Sequence, residues 1–174
     1  MRRRLVLTTV AAVIMALGLL HNGQVAGASD CIVTAGVEQS GTTIIGTPGD
    51  DSVDCSASAT AHTIFGRSGQ DVITGSSAGD LIEGGPAADQ ITGNAGDDEI
   101  DGGPGNDIIQ GGANNDLIDG GPGGDNIQGG AGNDAINGGP GGDTISGGDD
   151  NDSCFGGAGG DASDGTCEFL ASVP

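Results

Sequence analysis

The sequence predicts an all-β fold in which the chain winds as a parallel β-solenoid, with two nine-residue copies in each turn. Three observations predict this fold. Eleven nonapeptides run without insertion from Gly66 to Asp164. Every copy has aspartate at its sixth place, and nine have isoleucine at the eighth. Proline occurs at the third place of every second copy between Pro86 and Pro140, which gives the array a second period that is twice the length of one copy.

The sixth and eighth places carry the strongest pattern in the array. The last two copies depart from it only at the eighth place, with Cys154 and Ser163. The sixth-place aspartates are Asp71, Asp80, Asp89, Asp98, Asp107, Asp116, Asp125, Asp134, Asp143, Asp152 and Asp161. The eighth-place isoleucines are Ile73, Ile82, Ile91, Ile100, Ile109, Ile118, Ile127, Ile136 and Ile145.

The third place shows why the turn should contain two copies rather than one. Its residues alternate in the order Pro86, Ala95, Pro104, Ala113 and onwards to Pro140. A disordered chain of the same composition has no reason to alternate in this way. In a solenoid, successive copies lie on opposite sides of each coil and can present different loops.

Each copy divides into a short strand and a turn. The seventh to ninth residues, such as Ile108-Ile109-Gln110, suit a strand whose middle side chain points inward. The six residues before them are rich in glycine, which permits positive φ and close approach of neighbouring backbone. About seven coils at the roughly 4.8 Å spacing of β-strands would give a rod on the order of 34 Å long.

An 18-residue turn stacks the aspartates into two columns, for example Asp107 on Asp125 and Asp116 on Asp134. Like charges about 5 Å apart repel by roughly 1 kcal/mol in water and by about 3–4 kcal/mol at an effective dielectric near 20. The array contains no lysine that could lie between them. The columns therefore predict a bound cation, and oxygen ligands of this kind favour Ca²⁺ over softer metals and over the geometrically stricter Mg²⁺.

The pattern Gly-Gly-x-Gly-x-Asp-x-Ile-x resembles the repeats-in-toxin (RTX) calcium-binding nonapeptide, well over residues 66–164 and poorly over 46–65. The resemblance implies a right-handed parallel β-roll in which Ca²⁺ lies between loops of successive turns. Eleven loops, each paired with the next but one, allow up to about nine ions. The implied ligands are the eleven sixth-place aspartates and the loop carbonyls around Gly102, Gly105, Gly111, Gly120, Gly123, Gly129, Gly132, Gly138 and Gly141.

Two loops of the array are expected to suit the ion less well. The fourth place, normally glycine, is alanine at Ala78 and Ala87. Asn114 and Asp150 also replace glycine there, but asparagine tolerates positive φ.

Residues 1–28 are predicted to be a secretory signal peptide. Arg2, Arg3 and Arg4 precede an apolar run from Leu5 to Leu20, and Ala26-Gly27-Ala28 provides the small residues of a cleavage site. The run is short for a membrane span, so cleavage is favoured over a retained anchor. We expect bacterial-type export of a secreted, extracellular protein without a membrane span after cleavage.

The charge of the remaining chain restricts its partners. All 25 acidic residues lie beyond residue 28, and Arg67 is the single basic residue there, so the net charge is −24. Such a chain repels phosphates, which excludes nucleic acid and disfavours anionic membrane surfaces. Calcium ions are the predicted partners, while a protein or glycan partner is left open.

Four cysteines, Cys31, Cys55, Cys154 and Cys167, flank the array, and an even number in an exported chain indicates disulfides. Of the three possible pairings, Cys31–Cys55 with Cys154–Cys167 closes the shortest loops. A zinc site is less favoured, since there is no CxxC motif and His62 is the one histidine beyond residue 28.

These patterns divide the chain into four segments. They are a signal peptide (1–28), an N-terminal cap with degenerate repeats (29–65), the calcium-binding repeat array (66–164) and a C-terminal cap (165–174). Within the N-terminal cap, Gly46–Asp54 fits the repeat. A two-residue slip follows, and 57–65 fits loosely, with His62 at the aspartate place.

The predicted function is a secreted calcium-binding protein that folds when extracellular Ca²⁺ binds between its stacked loops. The alternative is an extracellular surface or matrix interaction module, or an adhesion module, in which calcium only rigidifies the rod. The outward residues Gln110, Asp119, Gln128 and Asn137 are polar and offer no obvious adhesive patch. An enzyme is not predicted, because a hydrolase would have to rely on His62.

Overall fold

The computed structural model describes residues 31–173, with side chains described as far as Cys167, so the predicted signal peptide lies outside the described residues. This part of the chain forms 18 strands and no helix. The strands are β1 (Ile32–Val33), β2 (Glu38–Ser40), β3 (Thr43–Ile45), β4 (Ser52–Asp54), β5 (Thr63–Phe65), β6 (Val72–Thr74), β7 (Leu81–Glu83), β8 (Gln90–Ala95), β9 (Glu99–Asp101), β10 (Ile108–Ala113), β11 (Leu117–Asp119), β12 (Asn126–Ala131), β13 (Ala135–Asn137), β14 (Pro140–Gly141), β15 (Thr144–Asp149), β16 (Asp152–Gly159), β17 (Ala162–Ser163) and β18 (Cys167–Val173). Between residues 31 and 173, no helix is long and apolar enough to cross a membrane.

The strands form two sheets that the chain visits alternately, as a parallel solenoid requires. Sheet 1 has the order β1-β4-β6-β8-β10-β12-β15-β17. Sheet 2 has the order β14-β16-β13-β11-β9-β7-β5-β3-β2, and β18 also pairs with β16. Strands of one sheet that neighbour each other within the array are parallel. The predicted all-β parallel solenoid is confirmed.

The register confirms that two copies of the repeat make one coil. Ile109 pairs with Ile91 on one side and Ile127 on the other, and Ile118 pairs in the same way with Ile100 and Ile136. The proline-containing loops therefore lead into strands of one sheet and the alanine-containing loops into strands of the other. The residue at the third place, proline or alanine, therefore indicates which of the two sheets the following strand joins.

The core is a double column of side chains between the sheets. The nine eighth-place isoleucines and Cys154 are at most 2 % exposed, as expected for inward residues at the centre of a strand. The column continues towards the N-terminus through Ile44, Val53 and Ile64, which are also buried. Paired residues in these first coils lie further apart in the sequence, as in Ile44 with Ile64, because of the two-residue slip before residue 57.

Four strands of sheet 1 are longer than the three residues expected from the sequence. β8, β10, β12 and β15 each contain six residues and continue into the next copy as far as its third place. That place is Ala95, Ala113 or Ala131 in the first three of these strands. After the array strands of sheet 2 up to β13, the third place is proline, which lacks the N–H that hydrogen bonding between neighbouring strands needs. The alternation of alanine with proline therefore also sets strand length.

Different pairings close the two ends of the rod. At the N-terminal end, β1 is antiparallel to β4 and β2 is antiparallel to β3. At the C-terminal end, β18 runs parallel to β16 with irregular register. A disulfide joins each of these segments to the rod, Cys31 to Cys55 and Cys154 to Cys167. Both pairs are those predicted from loop length.

Candidate metal centre

The sixth-place aspartates form two columns that run along the rod. Column 1 contains Asp71, Asp89, Asp107, Asp125, Asp143 and Asp161, and column 2 contains Asp80, Asp98, Asp116, Asp134 and Asp152. Each backbone N–H from Asp71 to Asp143 donates to Oδ1 of the corresponding aspartate in the next coil, in nine hydrogen bonds of 2.7–3.1 Å. These bonds hold the columns in register.

The carboxylates are buried, and Arg67 is the one lysine or arginine between residues 31 and 173. From Asp71 to Asp152 the sixth-place aspartates are 1–3 % exposed, while Asp161 at the end of column 1 is half-buried. Oxygen Oδ2 is buried and has no hydrogen-bond partner in ten of the eleven. These ten are Asp71, Asp89, Asp98, Asp107, Asp116, Asp125, Asp134, Asp143, Asp152 and Asp161. An unpartnered anionic oxygen inside a protein is costly unless a cation compensates it.

A backbone feature accompanies every one of these unpartnered oxygens. The second residue of each of the ten loops has positive φ, for example Gly103 at 90° and Gly112 at 127°. Arg67 and Asn94 also adopt this conformation, at 77° and 81°. In these loops the second residue donates no hydrogen bond to Oδ2, which is left open to another ligand.

Two loops show the other arrangement. In Gly46–Asp51, the second residue Thr47 donates its N–H to Oδ2 of Asp51 at 2.6 Å. In Gly75–Asp80, Ser76 makes the same bond to Asp80 at 2.6 Å, and its hydroxyl donates to Oδ1. Neither Thr47 nor Ser76 has positive φ. The chain itself satisfies these two carboxylates, whereas it leaves the other ten open.

Carbonyl oxygens lie beside the open carboxylates. A Cβ atom placed on Gly102 would be 2.7 Å from both Oδ2 of Asp107 and the carbonyl oxygen of Gly120 in the next coil. The corresponding position on Gly120 is 2.6 Å from Oδ2 of Asp125 and 2.7 Å from the carbonyl oxygen of Gly138. Carboxylate and carbonyl oxygens thus converge at the first glycine, where any side chain would collide with them.

Burial changes the acidity of the columns. It raises the pKa of Asp89, Asp98, Asp107 and Asp125 to about 6 and that of Asp116 to about 7. The backbone N–H donated by the preceding aspartate lowers each pKa in part, and neighbouring carboxylates raise it further. Burial also raises the pKa of Asp71, Asp134 and Asp143. The metal-free fold therefore opposes the ionisation on which metal binding depends.

The fourth place of the loops behaves differently at its four substitutions. Asn114 and Asp150 adopt positive φ, at 83° and 79°, as glycine does at this place in loops with alanine at the third place. Ala87 does so as well, at 107°, and Oδ2 of Asp89 stays open in its loop. Ala78 does not, and its loop is the one that Ser76 closes. The sequence-based expectation is that both alanine loops suit the ion less well. The two loops differ: the carboxylate is closed in the loop of Ala78 and open in the loop of Ala87.

Sequence reasoning missed the part that Thr47 and Ser76 play. The sequence does contain a pattern that indicates these closed loops. The second place of the repeat is threonine or serine in three of the early loops and glycine from Gly103 onwards. The loosely fitting copy 57–65 follows the same rule, since the hydroxyl of Ser58 is 3.0 Å from Nε2 of His62 at the aspartate place.

The residues present fit a hard divalent cation. Open carboxylate oxygens face backbone carbonyl oxygens, at positions that repeat with each coil, and such a donor set suits Ca²⁺. The RTX calcium-binding nonapeptide repeat, in a four-copy form, matches residues 63–91, 74–109, 92–127, 110–145 and 128–162, which together span more than half of the chain. No curated protein and no solved structure matches the chain. With its two-copy parallel coils and its stacked Gly-Gly-x-Gly-x-Asp loops, this chain belongs to the RTX calcium-binding nonapeptide repeat family.

Proposed function

We propose that this calcium-binding repeat protein is secreted and that it folds when Ca²⁺ binds along the two aspartate columns outside the cell. The observation that carries the proposal is the match between ten loops with positive φ at the second residue and ten buried carboxylates with an unpartnered Oδ2. A buried carboxylate oxygen without a partner is unfavourable, and a cation in the loop offsets that cost.

The proposed ligands are the open carboxylates together with loop carbonyls, such as that of Gly120 beside Asp107. Each ion would lie between two successive loops of one column. Calcium suits this arrangement because it accepts six to eight oxygen ligands at about 2.3–2.6 Å with flexible geometry. The ion supplies positive charge to a repeat array that contains one arginine and no lysine, and the chain supplies the fixed loops.

The closed loops refine the proposed number of ions. Column 1 has six open carboxylates and so five spaces between neighbours, and column 2 has four open carboxylates and three spaces. We propose eight calcium ions rather than the nine allowed by the count of loops. The difference is the space between Asp80 and Asp98, because Ser76 already satisfies Asp80.

Folding should depend on calcium and should be cooperative. Extracellular sites bind Ca²⁺ at roughly 10⁻⁴–10⁻³ M. A free concentration tenfold above such a constant stabilises the fold by about 1.4 kcal/mol per site. Each coil contacts mainly its neighbours, so stability should propagate along the rod as in other repeat proteins.

Residues 1–28 and the two disulfides support export. A basic head, an apolar run and small residues are typical of a signal peptide, and disulfides persist in oxidising compartments. The aspartate columns offer repeated, equivalent carboxylates rather than a distinct acid and base, so we do not propose catalysis.

A calcium titration of the chelator-treated protein tests the proposal. Circular dichroism should change from a coil-like to a β-rich spectrum by about 10 mM Ca²⁺, tenfold above a 10⁻³ M site. Native mass spectrometry should then count eight ions per chain. A compact fold in chelator that added calcium does not alter would overturn the proposal, and Mg²⁺ at equal concentration serves as the control.

The outer face of sheet 2 favours a second candidate function, an interaction module. It forms a groove of about 470 Å³ whose lining includes Leu81, Leu117 and Phe155, which are 42 %, 54 % and 48 % exposed. On this face, exposed apolar side chains at Leu81 and Leu117 therefore stand beside the polar outward residues. Four exposed carboxylates accompany the apolar side chains, at Glu83, Glu99, Asp101 and Asp119.

Exposed carboxylates are concentrated on sheet 2 and not on the opposite face of the rod. In the same coils, the outward residues of sheet 1 are uncharged: Gln90, Thr92, Ile108, Gln110, Asn126 and Gln128. A second copy of this acidic chain would be repelled from the groove. The chemistry that fits it is a cationic amphipathic peptide, with basic groups on the carboxylates and apolar side chains on Leu81 and Leu117.

Fluorescence anisotropy with a labelled lysine–leucine peptide tests this candidate on the calcium-loaded protein. Binding should weaken about tenfold when Glu99 and Asp101 are changed to Gln and Asn, a loss of about 1.4 kcal/mol. Glu38→Gln, which neutralises an exposed carboxylate outside the groove, should leave binding unchanged. Equal losses of affinity in both variants would indicate that the peptide is attracted by net charge alone, and would overturn the proposal that the groove binds it.

A further inference from the structure

The N-terminal end of the rod brings three potential ligands for a soft metal together. The sulfur atoms of Cys31 and Cys55 and a ring nitrogen of His62 all lie within 4.8 Å of one another. Cys55 and His62 are buried, at 0 % and 2 % exposed, and Cys31 is half-buried. No sequence pattern predicts this cluster, because antiparallel pairing of β1 with β4 is what carries Cys31 to the core.

The spacing already fits one edge of a tetrahedral zinc site. Sγ of Cys31 and Nε2 of His62 are 3.6 Å apart. Zinc–sulfur bonds of about 2.3 Å and zinc–nitrogen bonds of about 2.0–2.1 Å, at a tetrahedral angle, separate the two ligands by about 3.6 Å. Once the disulfide is opened, the sulfur of Cys55 needs only to move away from that of Cys31 to complete a third corner.

His62 is explained poorly by the repeat itself. It occupies the place of the column aspartates, and its backbone N–H still donates to Oδ1 of Asp80, at 2.5 Å. Its side chain, however, takes no part in the column. Nε2 faces Ser58 at 3.0 Å and Cys31, while Nδ1 is buried without a hydrogen-bond partner.

We propose that, in the thiol form of the protein, Cys31, Cys55 and His62 bind one zinc ion, with water or the hydroxyl of Ser58 as fourth ligand. The chain is synthesised with free thiols, and binding releases one proton from each. From the disulfide form, a dithiol reductant reaches the same state by exchange: it becomes a disulfide, and the cysteines become thiols. Thiolates and imidazole select zinc, whereas the aspartate columns select calcium, so the two sites do not compete.

Cobalt(II) is a suitable probe, because thiolate ligands give it charge-transfer absorption. The protein is used calcium-loaded, with Cys154→Ser and Cys167→Ser so that one cysteine pair remains. After reduction it should bind one cobalt ion with tetrahedral absorption bands, and zinc should displace it. The oxidised protein should show neither the charge-transfer absorption nor the tetrahedral bands.

His62→Asn is the matched variant, because it keeps a polar side chain at this place and removes the imidazole ligand. It should weaken cobalt binding about tenfold, or by about 1.4 kcal/mol. Cys31→Ser with Cys55→Ser should abolish the charge-transfer band, and an unchanged calcium count by native mass spectrometry would show that this variant still folds. Absence of the band in the reduced parent, or equal affinity in His62→Asn, would overturn the proposal.

Discussion

The backbone N–H of Asp107 donates a 2.8 Å hydrogen bond to Oδ1 of Asp125, one coil further along the rod. Oδ2 of the same Asp125 is buried and has no hydrogen-bond partner. One oxygen of each column aspartate therefore fixes the register of successive coils, while the other is left for a cation. Because a single carboxylate does both, coil stacking and ion binding should be tightly coupled.

Asp107→Asn should remove calcium ions without removing the hydrogen bond that joins the coils. The amide oxygen can still accept the N–H of Asp89, but an amide nitrogen replaces the open Oδ2. Asp107 borders two of the proposed spaces, so native mass spectrometry should count two ions fewer. Asp97→Asn removes an exposed charge from the same array and should keep the full count. Equal losses in both variants would contradict a site at Asp107.

Ser76→Gly should add a calcium ion. Ser76 satisfies Asp80 through its N–H and its hydroxyl, and glycine at this place can adopt the positive φ of the open loops. The count should rise from eight to nine. Ser77→Gly makes the same change at the exposed neighbouring residue and should leave the count at eight. An unchanged count in Ser76→Gly would mean that the hydroxyl does not exclude the ion.

Much of this architecture could be predicted from the sequence because the repeat is strict. Isoleucine at the eighth place determines which side chain of each strand points inward, and the alternation of proline with alanine determines the length of the coil. Both follow from residue type and spacing alone. The same holds for the cysteine pairs, since their loops are short.

What could not be predicted depends on backbone conformation and on the ends of the rod. Whether the second residue of a loop has positive φ, as at Arg67, or lacks it, as at Ser76, decides whether the carboxylate is open. Neither residue type predicts that conformation. The approach of Cys31 to His62 depends on one antiparallel pairing outside the repeat, where no periodicity applies.

Ile109→Ala should destabilise the calcium-loaded rod far more than Ile108→Ala. Ile109 is 1 % exposed in the core column, whereas its neighbour Ile108 is 53 % exposed on the outer face of sheet 1. Truncation of a buried isoleucine costs about 2–5 kcal/mol, and surface substitutions are usually within about 0.5 kcal/mol. Urea unfolding at saturating calcium measures both. Similar losses in the two variants would contradict the assignment of inward and outward faces.

Ala87→Gly should stabilise the rod, although glycine normally weakens a fold. Ala87 has φ of 107°, a region that side chains other than glycine rarely adopt, and such strain costs on the order of 1–3 kcal/mol. Ala78 has the same place in its own copy without positive φ, so Ala78→Gly should instead lose about 0.5–1 kcal/mol. Thermal unfolding of both variants in calcium should give shifts of opposite sign. Shifts of the same sign would contradict the strained loop.

Acidification should stabilise the metal-free protein and weaken the calcium-bound one. Burial raises the pKa of Asp89, Asp98, Asp107 and Asp125 to about 6 and that of Asp116 to about 7, above the roughly 3.9 of an unfolded aspartate. The metal-free fold therefore binds more protons than the unfolded chain. This contribution to its stability is fully present below about pH 4 and is lost as the pH rises through about 6 to 7. Calcium requires the ionised carboxylates, so its affinity should fall over the same range on acidification.

Circular dichroism of the protein in chelator and urea unfolding in saturating calcium, each at about pH 5 and about pH 7.5, bracket these pKa values and measure the two effects. The metal-free protein should contain more β-structure at the lower pH, and the calcium-loaded urea midpoint should be lower there. Asp116→Asn removes the carboxylate with the highest of these pKa values and should reduce the change in metal-free β-structure near neutrality. A metal-free β-content that stays constant or falls on acidification would show that the column carboxylates ionise freely, and a cation would then not be needed to hold the coils together.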